Sequence, residues 1–360
     1  MAVSDVKFVT GLSFAEGAAI LSPLIQEIAS QREAQVGLDD EAAKYGFTFN
    51  DVLTPSGEIT SMIGPEPARS FGEDEATALA VIEQGYSKGY KMQNYGLKTK
   101  RTKLFLDWIA KGSQLEGADV SVRQELAKFK EEVQYLVDSI QIRMNIQMAR
   151  VFAEGFSITA GFGPGSAGGD GKALFAADHP IKKFPGKTYS NLAAGALTDT
   201  NLLAAIATLK YGVKTGNNMS VKTPNVYTLL VPRALETTAR KLLNTPGSQA
   251  GVYAGTGNNA NLLNTYSFQG SAVEIVVLDM LGEDDGTGNK VGGANASGMW
   301  FLMNKEYALR YKTFRINRLR DKEISMWKDD ETDAVYTKIT AHFEADHYDG
   351  APSVVGYAGA

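Results

Sequence analysis

Between Ser121 and Glu154 the chain runs for 34 residues without a proline or a glycine. Apolar residues recur at Leu126, Phe129, Val133, Leu136, Val137, Ile140, Met144, Met148, Val151 and Phe152. These steps of three and four trace one face of a single helix. At 1.5 Å per residue the helix is about 50 Å long, far above the roughly 11–12 residues of an average globular helix. Ser121 with Gln124 is placed to form a capping box, and Gly155 to supply a left-handed stop. The apolar seam is too irregular for a coiled coil. The other side carries Lys128, Lys130, Glu131, Glu132, Asp138, Gln141, Arg143 and Gln147, too polar for a helix buried all round. The stretch therefore predicts a structural spine on which a smaller domain leans.

The rest of the chain is read around that spine. With 360 residues there is room for two domains of ordinary size, and 44% apolar against 21% charged residues predicts packed globular structure. The sequence has no run near the ~18 apolar residues of a membrane span, and no basic region followed by an apolar core at its start, so neither a membrane nor an export signal is expected. The absence of cysteine excludes disulfides, thiol nucleophiles and thiolate metal sites. A net charge of −5 argues against nucleic-acid binding by global charge.

Charge is sharply segregated before the helix. Val36 to Gly85 holds ten acids and two bases, whereas Tyr86 to Phe105 holds Lys88, Lys91, Lys98, Lys100, Arg101 and Lys103 with no acid. Both alternating sets around Lys98 to Lys103 are polar, and a strand polar on both faces builds no core of its own. Two readings are open: a projecting hairpin that meets acidic surface on another subunit, or a solvated charged edge that blocks unwanted strand pairing. Upstream, Ile20, Leu21, Leu24, Ile25 and Ile28 give a short arm helix an apolar side.

After the helix, the glycines between Gly161 and Gly171 predict a flexible loop; it is no phosphate loop, because Lys172 is followed by Ala173. Leu197 to Lys210 reads as a helix capped by Thr198 or Asp199. Val226 to Val231, Val273 to Leu278 and Met299 to Met303 read as short buried strands, with a helix from Arg233 to Asn244, which together predict a compact α/β unit. Tyr307 to Ile316 and Lys322 to Trp327 read as strands, and Ala334 to Glu344 alternates as a strand with one buried face.

This order of elements, together with Asp170-Gly-Lys-Ala-Leu-Phe175, Asp178-His179-Pro180, Asn191, the Leu197–Asn201 cap and Leu230-Val-Pro232 leading into a helix, resembles the tailed-bacteriophage major capsid protein of the Hong Kong 97 fold, in particular the Mu-type prophage major head subunit. The resemblance implies an α+β fold with an N-terminal arm, an extended loop, a long spine helix, a peripheral-domain antiparallel sheet and an α/β axial domain. Laid onto this chain it gives an arm over residues 1–50 and an extended loop over 51–110. Residues 111–195 form the first part of the peripheral domain, with the spine over 121–155. The axial domain covers 196–305, and 306–360 return as the peripheral sheet with a C-terminal tail. It implies a non-enzymatic subunit without cofactor. Hexamers and pentamers of it close an icosahedral shell around double-stranded DNA held non-specifically, with scaffolding, portal and decoration proteins as partners and assembly in the bacterial cytoplasm. The intersubunit contacts expected from the residues are Lys88, Lys91, Lys98, Lys100, Arg101 and Lys103, with Ile20, Leu24 and Ile28 of the arm.

Two alternatives stay open at the level of sequence. One is an encapsulin-like shell enclosing proteins. The other is an α/β metal enzyme using His342, Glu344 and Asp346, which share one strand face. Asp178-His179 has no accompanying nucleophile elbow, and Gly282 to Asn289 resembles a calcium loop in composition only. The bases of Tyr307 to Lys322 face eight acids in Glu323 to Asp349, so pairing within the sheet is expected in preference to contact with DNA.

Overall fold

The structure, a computed structural model, describes residues 23, 25–32, 37–63, 83–102, 120–244, 272–329, 331, 334–349 and 351–359. In chain order its helices are α1 (Leu38–Lys44), α2 (Val120–Ala153), α3 (Asp199–Ala207), α4 (Arg233–Asn244) and α5 (Lys305–Tyr311). Its strands are β1 (Phe47–Asp51), β2 (Ser56–Met62), β3 (Gln84–Lys91), β4 (Gln93–Thr102), β5 (His179–Pro180), β6 (Thr188–Tyr189), β7 (Leu192–Ala193), β8 (Val226–Pro232), β9 (Ala272–Leu278), β10 (Trp300–Met303), β11 (Phe314–Asp329), β12 (Ala334–His347) and β13 (Val354–Tyr357). The chain divides into two compact units.

The smaller unit takes Met1–Leu38, Gln93–Arg143 and Arg320–Phe343. Here β4 pairs antiparallel with β12, from Thr102 opposite Ala334 to Gln93 opposite Phe343. The alternation of β12 is realised: Val335, Thr337, Ile339, Ala341 and Phe343 are buried, while Tyr336, Lys338, Thr340 and His342 are half-buried. Val335 joins Ile25, Ile28, Phe129 and Val133 in one apolar cluster, edged by Ile324 and Met326. Arm helix, spine helix and sheet thus share one small core, and Arg32 adds a two-pronged ion pair to Asp138 at 2.8 and 2.9 Å.

The larger unit takes Asp39–Met92, Met144–Leu319 and Glu344–Ala360. Its five-stranded sheet has the order β7-β13-β10-β8-β9. The near-continuous apolar runs in β8 and β10 are those of strands covered on both faces, and every residue of β10 is buried. Leu202, Ala205 and Ile206 of α3 and Ala239 and Leu243 of α4 close over Tyr227, Leu229, Val231, Trp300 and Leu302. The α3 cap is Thr198, whose side chain accepts from the Asn201 N–H.

Within this unit the spine changes character. Up to Arg143 it alternates buried and exposed positions, but of Met144 to Ala153 all except Asn145 and Arg150 are buried, Gln147 included. Phe152 lies among Phe47, Phe314 and Phe301 at centroid distances of 5.8, 5.2 and 5.4 Å. Gly155 is no left-handed stop: it lies in a 3-10 turn, Glu154–Phe156, and is absent from the positive-φ glycines. Its reason is space, since a Cβ there would meet Leu174 and Phe175 at 3.0–3.1 Å. The helix begins at Val120, so the expected cap at Ser121 is already helical.

Three further expectations are corrected. Tyr307 to Ile316 is not one strand; the Asn304 side chain caps α5 by accepting from the Tyr307 N–H at 3.1 Å, and Lys312 ends it at φ 50°. The C-terminal tail expected after the peripheral sheet instead carries β13, wholly buried between β7 and β10. The Gly161–Gly171 loop is packed rather than loose: Gly163 and Gly165 are buried, and a Cβ on Gly169 would meet Tyr86 Cβ at 2.8 Å and the Ser87 carbonyl oxygen at 2.9 Å.

Candidate functional site

The basic stretch that the sequence singles out is split between two settings. Lys98 and Lys100 lie on the outer face of β4, exposed, with their ammonium groups 4.9 and 5.8 Å from the Tyr336 ring. Tyr336 in turn stacks on the partly exposed Trp327 at 5.3 Å. Arg101 points to the opposite face and is engaged by Glu132 of the spine. The stretch is therefore the edge of a sheet and not a projecting ribbon; the ribbon is β2 with β3, paired from Ser56–Lys91 to Met62–Gln84. Lys91 is exposed, while its N–H donates to Glu344 Oε2 at 2.9 Å.

Lys88 departs from the expectation outright. It is 6% exposed, and its Nζ donates to Asp346 Oδ1 at 2.8 Å and to the His347 carbonyl oxygen at 2.9 Å. Period-2 alternation puts Lys88 on the same side of β3 as the buried Tyr90, and that side is covered. Ile28 is likewise spent inside the chain, in the cluster with Phe129 and Val133. Ile20, Leu24 and Lys103 lie outside the described residues.

Around Lys88 the structure builds a buried polar centre. Ser166 Oγ donates to Asp346 Oδ2 at 3.0 Å, and the His347 N–H donates to Asp346 Oδ1 at 2.8 Å. The loop glycines let Ser166 reach inward, since they permit the close approach to β3. Burial pushes the Asp346 carboxyl up to about 6, with the Lys88 charge opposing. Burial, with the neighbouring Asp346 charge, pushes Glu344 up to about 8. Burial also lowers Lys88 and holds His347 neutral. Glu344 Oε1 is buried with no hydrogen-bond partner among the described residues, as suits a protonated carboxyl.

The Asp170…His179…Asn191 signature forms a second buried network. His179 Nδ1 lies 2.7 Å from Asp170 Oδ2 and Nε2 lies 3.1 Å from Asn191 Oδ1. The Asn191 amide donates to the carbonyls of Leu174, Ala351 and Val354 at 2.8–3.1 Å. It staples three loops, so its role is architectural. No group of three metal-ligating side chains occurs among the described residues; Glu344 and Asp346 are engaged as above, while His342 sits half-exposed.

A cleft of about 560 Å³ in the larger unit is walled by Tyr86, Tyr189 and Tyr307 and rimmed by Lys182, Lys214, Arg310, Lys312 and Arg315. Among the described residues none of these five cations is in an ion pair. Arg318 pairs with Asp51 of β1, and Arg320 pairs with Glu323 of the acidic segment that follows the basic strand, as expected there.

The sequence model of the phage capsid protein family matches residues 118–352, well over half of the chain. The chain belongs to the phage capsid protein family. A comparison with curated proteins found no match. Among solved structures, the capsid of Ralstonia phage GP4 is similar at a TM-score of 0.47 and 7% identity, covering 88% of this chain and 87% of that one. A phage-related protein from Bordetella bronchiseptica RB50 is similar at 0.47 and 10%, covering 93% and 96%. The capsid of Myoviridae phage XM1 is similar at 0.40 and 14%, covering 87% and 90%. The capsid subunit has the mixed helix-and-sheet architecture expected from its sequence. No described helix is long and apolar enough to cross a membrane.

Proposed function

We propose that this capsid subunit is the major head protein of a tailed phage or prophage. Copies associate as hexamers and pentamers into an icosahedral shell around double-stranded DNA, assembled in the bacterial cytoplasm. The observation that carries the reading is the family match over residues 118–352, which takes in the spine, the long strands β11 and β12 and the segment between them. Family membership also supports a structural, non-enzymatic role.

The division proposed is an arm over 1–50, an extended loop over 51–110, peripheral parts over 111–195 and 306–360, and an axial domain over 196–305, with β4 of the loop stretch pairing with β12 and β13 of the last stretch pairing with β10. Of the expected contacts, Lys91, Lys98 and Lys100 keep exposed side chains, and the outer face of β4 with Tyr336 and Trp327 is the first association surface. The cation-rimmed cleft is the second, suited to carboxylates of a neighbouring copy; the acidic 36–85 segment supplies such charge. Scaffolding, portal and decoration proteins are further partners. Each contact is modest and the closed shell gains from their number.

Negative-stain microscopy of the purified protein tests this: closed shells of uniform size are expected. A particle that stays a single subunit at every concentration and ionic strength would end the proposal, and shells filled with protein instead of DNA when isolated from cells would select an encapsulin-like container.

A further inference from the structure

The cleft of about 560 Å³ in the larger unit holds a half-buried guanidinium in no ion pair among the described residues. Arg315 donates from Nε to the Lys312 carbonyl oxygen at 2.8 Å and lies 5.4 Å from the centre of the Tyr348 ring. Burial lowers its pKa, and only Tyr348 opposes the shift. Desolvating a guanidinium is costly, and the usual compensation is a carboxylate or a phosphate held by its fork of donors. Arg310 and Lys312 at the end of α5 and Lys182 and Lys214 from two loops rim the same space, which makes this end of the cleft strongly positive.

The other pole is acidic. Asp349 lines the cleft and is half-buried. Burial and the Asp170 charge push its carboxyl up to about 6, against Ser61 and His179, and no rim cation helps to hold it down. Its charge is felt instead by Tyr86, Tyr189 and Tyr307, the tyrosines of the wall. Asp170 is already engaged by His179 Nδ1 and the Lys172 N–H. A pocket for one small organic molecule spans about 300–1,000 Å³, so the size fits too. A bare carboxylate from a neighbouring copy would satisfy the rim but leave Asp349 and the ring faces unused. An occupant that uses all three has an anion at one end, N–H donors at the other and a flat ring between them.

We propose that the cleft binds a nucleoside phosphate, with the phosphate on Arg315 and the rim cations, the base among the tyrosines, and the edge of the base donating to Asp349. Every base has a face that stacks on an aromatic side chain. Guanine matches best, because it presents two adjacent N–H donors to a carboxylate that offers two acceptor oxygens, whereas adenine presents one donor beside an acceptor. Binding needs a single chain, so it stands or falls apart from the shell; where copies meet at this cleft, a nucleotide and a neighbour's carboxylates compete for the same cations.

Calorimetric titration of GDP into the purified full chain, isolated as single subunits, tests the proposal. One GDP per chain is expected, bound at least about tenfold more tightly than inorganic diphosphate or ADP. Arg315→Gln should weaken GDP by about ten- to a hundredfold, as for a lost hydrogen bond to a charged group, and should keep or raise the thermal midpoint without ligand, since it removes a half-buried charge. If that variant does not fold, Arg310→Gln at an exposed helix position should weaken GDP about fivefold, the upper end for an exposed charge pair. Asp349→Asn exchanges one acceptor for a donor and should reverse the preference, so that ADP binds better than GDP. Absence of binding at millimolar GDP, diphosphate binding as tightly as GDP, or a single-stranded oligonucleotide binding more tightly than either would each overturn the proposal.

Discussion

Lys88 and Lys98 stand ten residues apart in one basic stretch, and the fold treats them oppositely. Lys98 lies over the Tyr336 ring at the surface, where losing it leaves nothing behind. Lys88 is enclosed with Asp346, where each group exists only because the other does. The difference teaches that a run of like charges in a sequence is not one surface. On an edge strand both faces tolerate charge, whereas on the ribbon one face is roofed by the Gly161–Gly171 loop. Composition is the same in both places; what covers the strand differs.

The widest gap between the two settings should appear on removing a partner. Asp346→Ala strands a buried amine and should cost about 3–5 kcal/mol in urea unfolding, the usual cost of breaking a buried pair. Lys98→Ala should shift the same curve by no more than about 0.5 kcal/mol. Equal losses would show that Lys88 is not enclosed.

A second break of the comparison is by pH. The Glu344 carboxyl is raised from 4.5 to about 8 in the folded chain. Between those values the folded state holds a proton that the unfolded state has released, so stability is full below about pH 4.5 and falls as pH rises through about 8. The loss is on the order of a few kcal/mol. Asp346 contributes with the same sign at lower pH, Lys88 with the opposite sign, and the neutral His347 faces them. The difference between wild type and Glu344→Gln therefore isolates Glu344: it should shrink steadily from pH 5 to pH 8.5. A difference independent of pH would mean that Glu344 is ionised in the fold.

The roof itself is the third target. Gly169→Ala pushes a methyl against Tyr86 Cβ and the Ser87 carbonyl oxygen and should cost about 1–3 kcal/mol. A thermal midpoint unchanged in this variant would show that the loop does not press on β3.

These contrasts also mark how far the chain can be read without its fold. Local periodicity suffices for the spine, for β12 and for the apolar strands of the large sheet, because burial on a helix stripe or a strand face repeats within a few residues. It fails where the cause is distant in sequence. Gly155 looks like a helix stop, yet it answers to Leu174 and Phe175; the apolar side of the arm finds its cover more than a hundred residues away, at Phe129 and Val133. Lys88 could be suspected only from its place beside Tyr90 on a strand whose other members are polar. Its partner, Asp346, is visible as one of three acidic or imidazole groups on one strand face, and suggests a metal site because no lysine lies near it in sequence.

The smallest effect on folding should carry the largest on assembly. Lys98 and Lys100 occupy the outer face of β4, opposite Lys338 and Tyr336 in the register, while Arg101 on the other face is already engaged with Glu132. Changing both lysines to glutamate places acids beside Lys338 and disturbs no buried group, so the isolated subunit should keep its thermal midpoint to within about 0.5 kcal/mol of stability. An association surface that relies on these ammonium groups then meets its acidic partner with like charge, and sedimentation should show subunits or small rings where wild type shows shells. Added salt, which screens exposed charges beyond roughly 8–10 Å, should recover part of the assembly. Normal shells from the double variant would make this edge a solvated guard against stray strand pairing, and would leave the cation-rimmed cleft as the remaining electrostatic contact between copies.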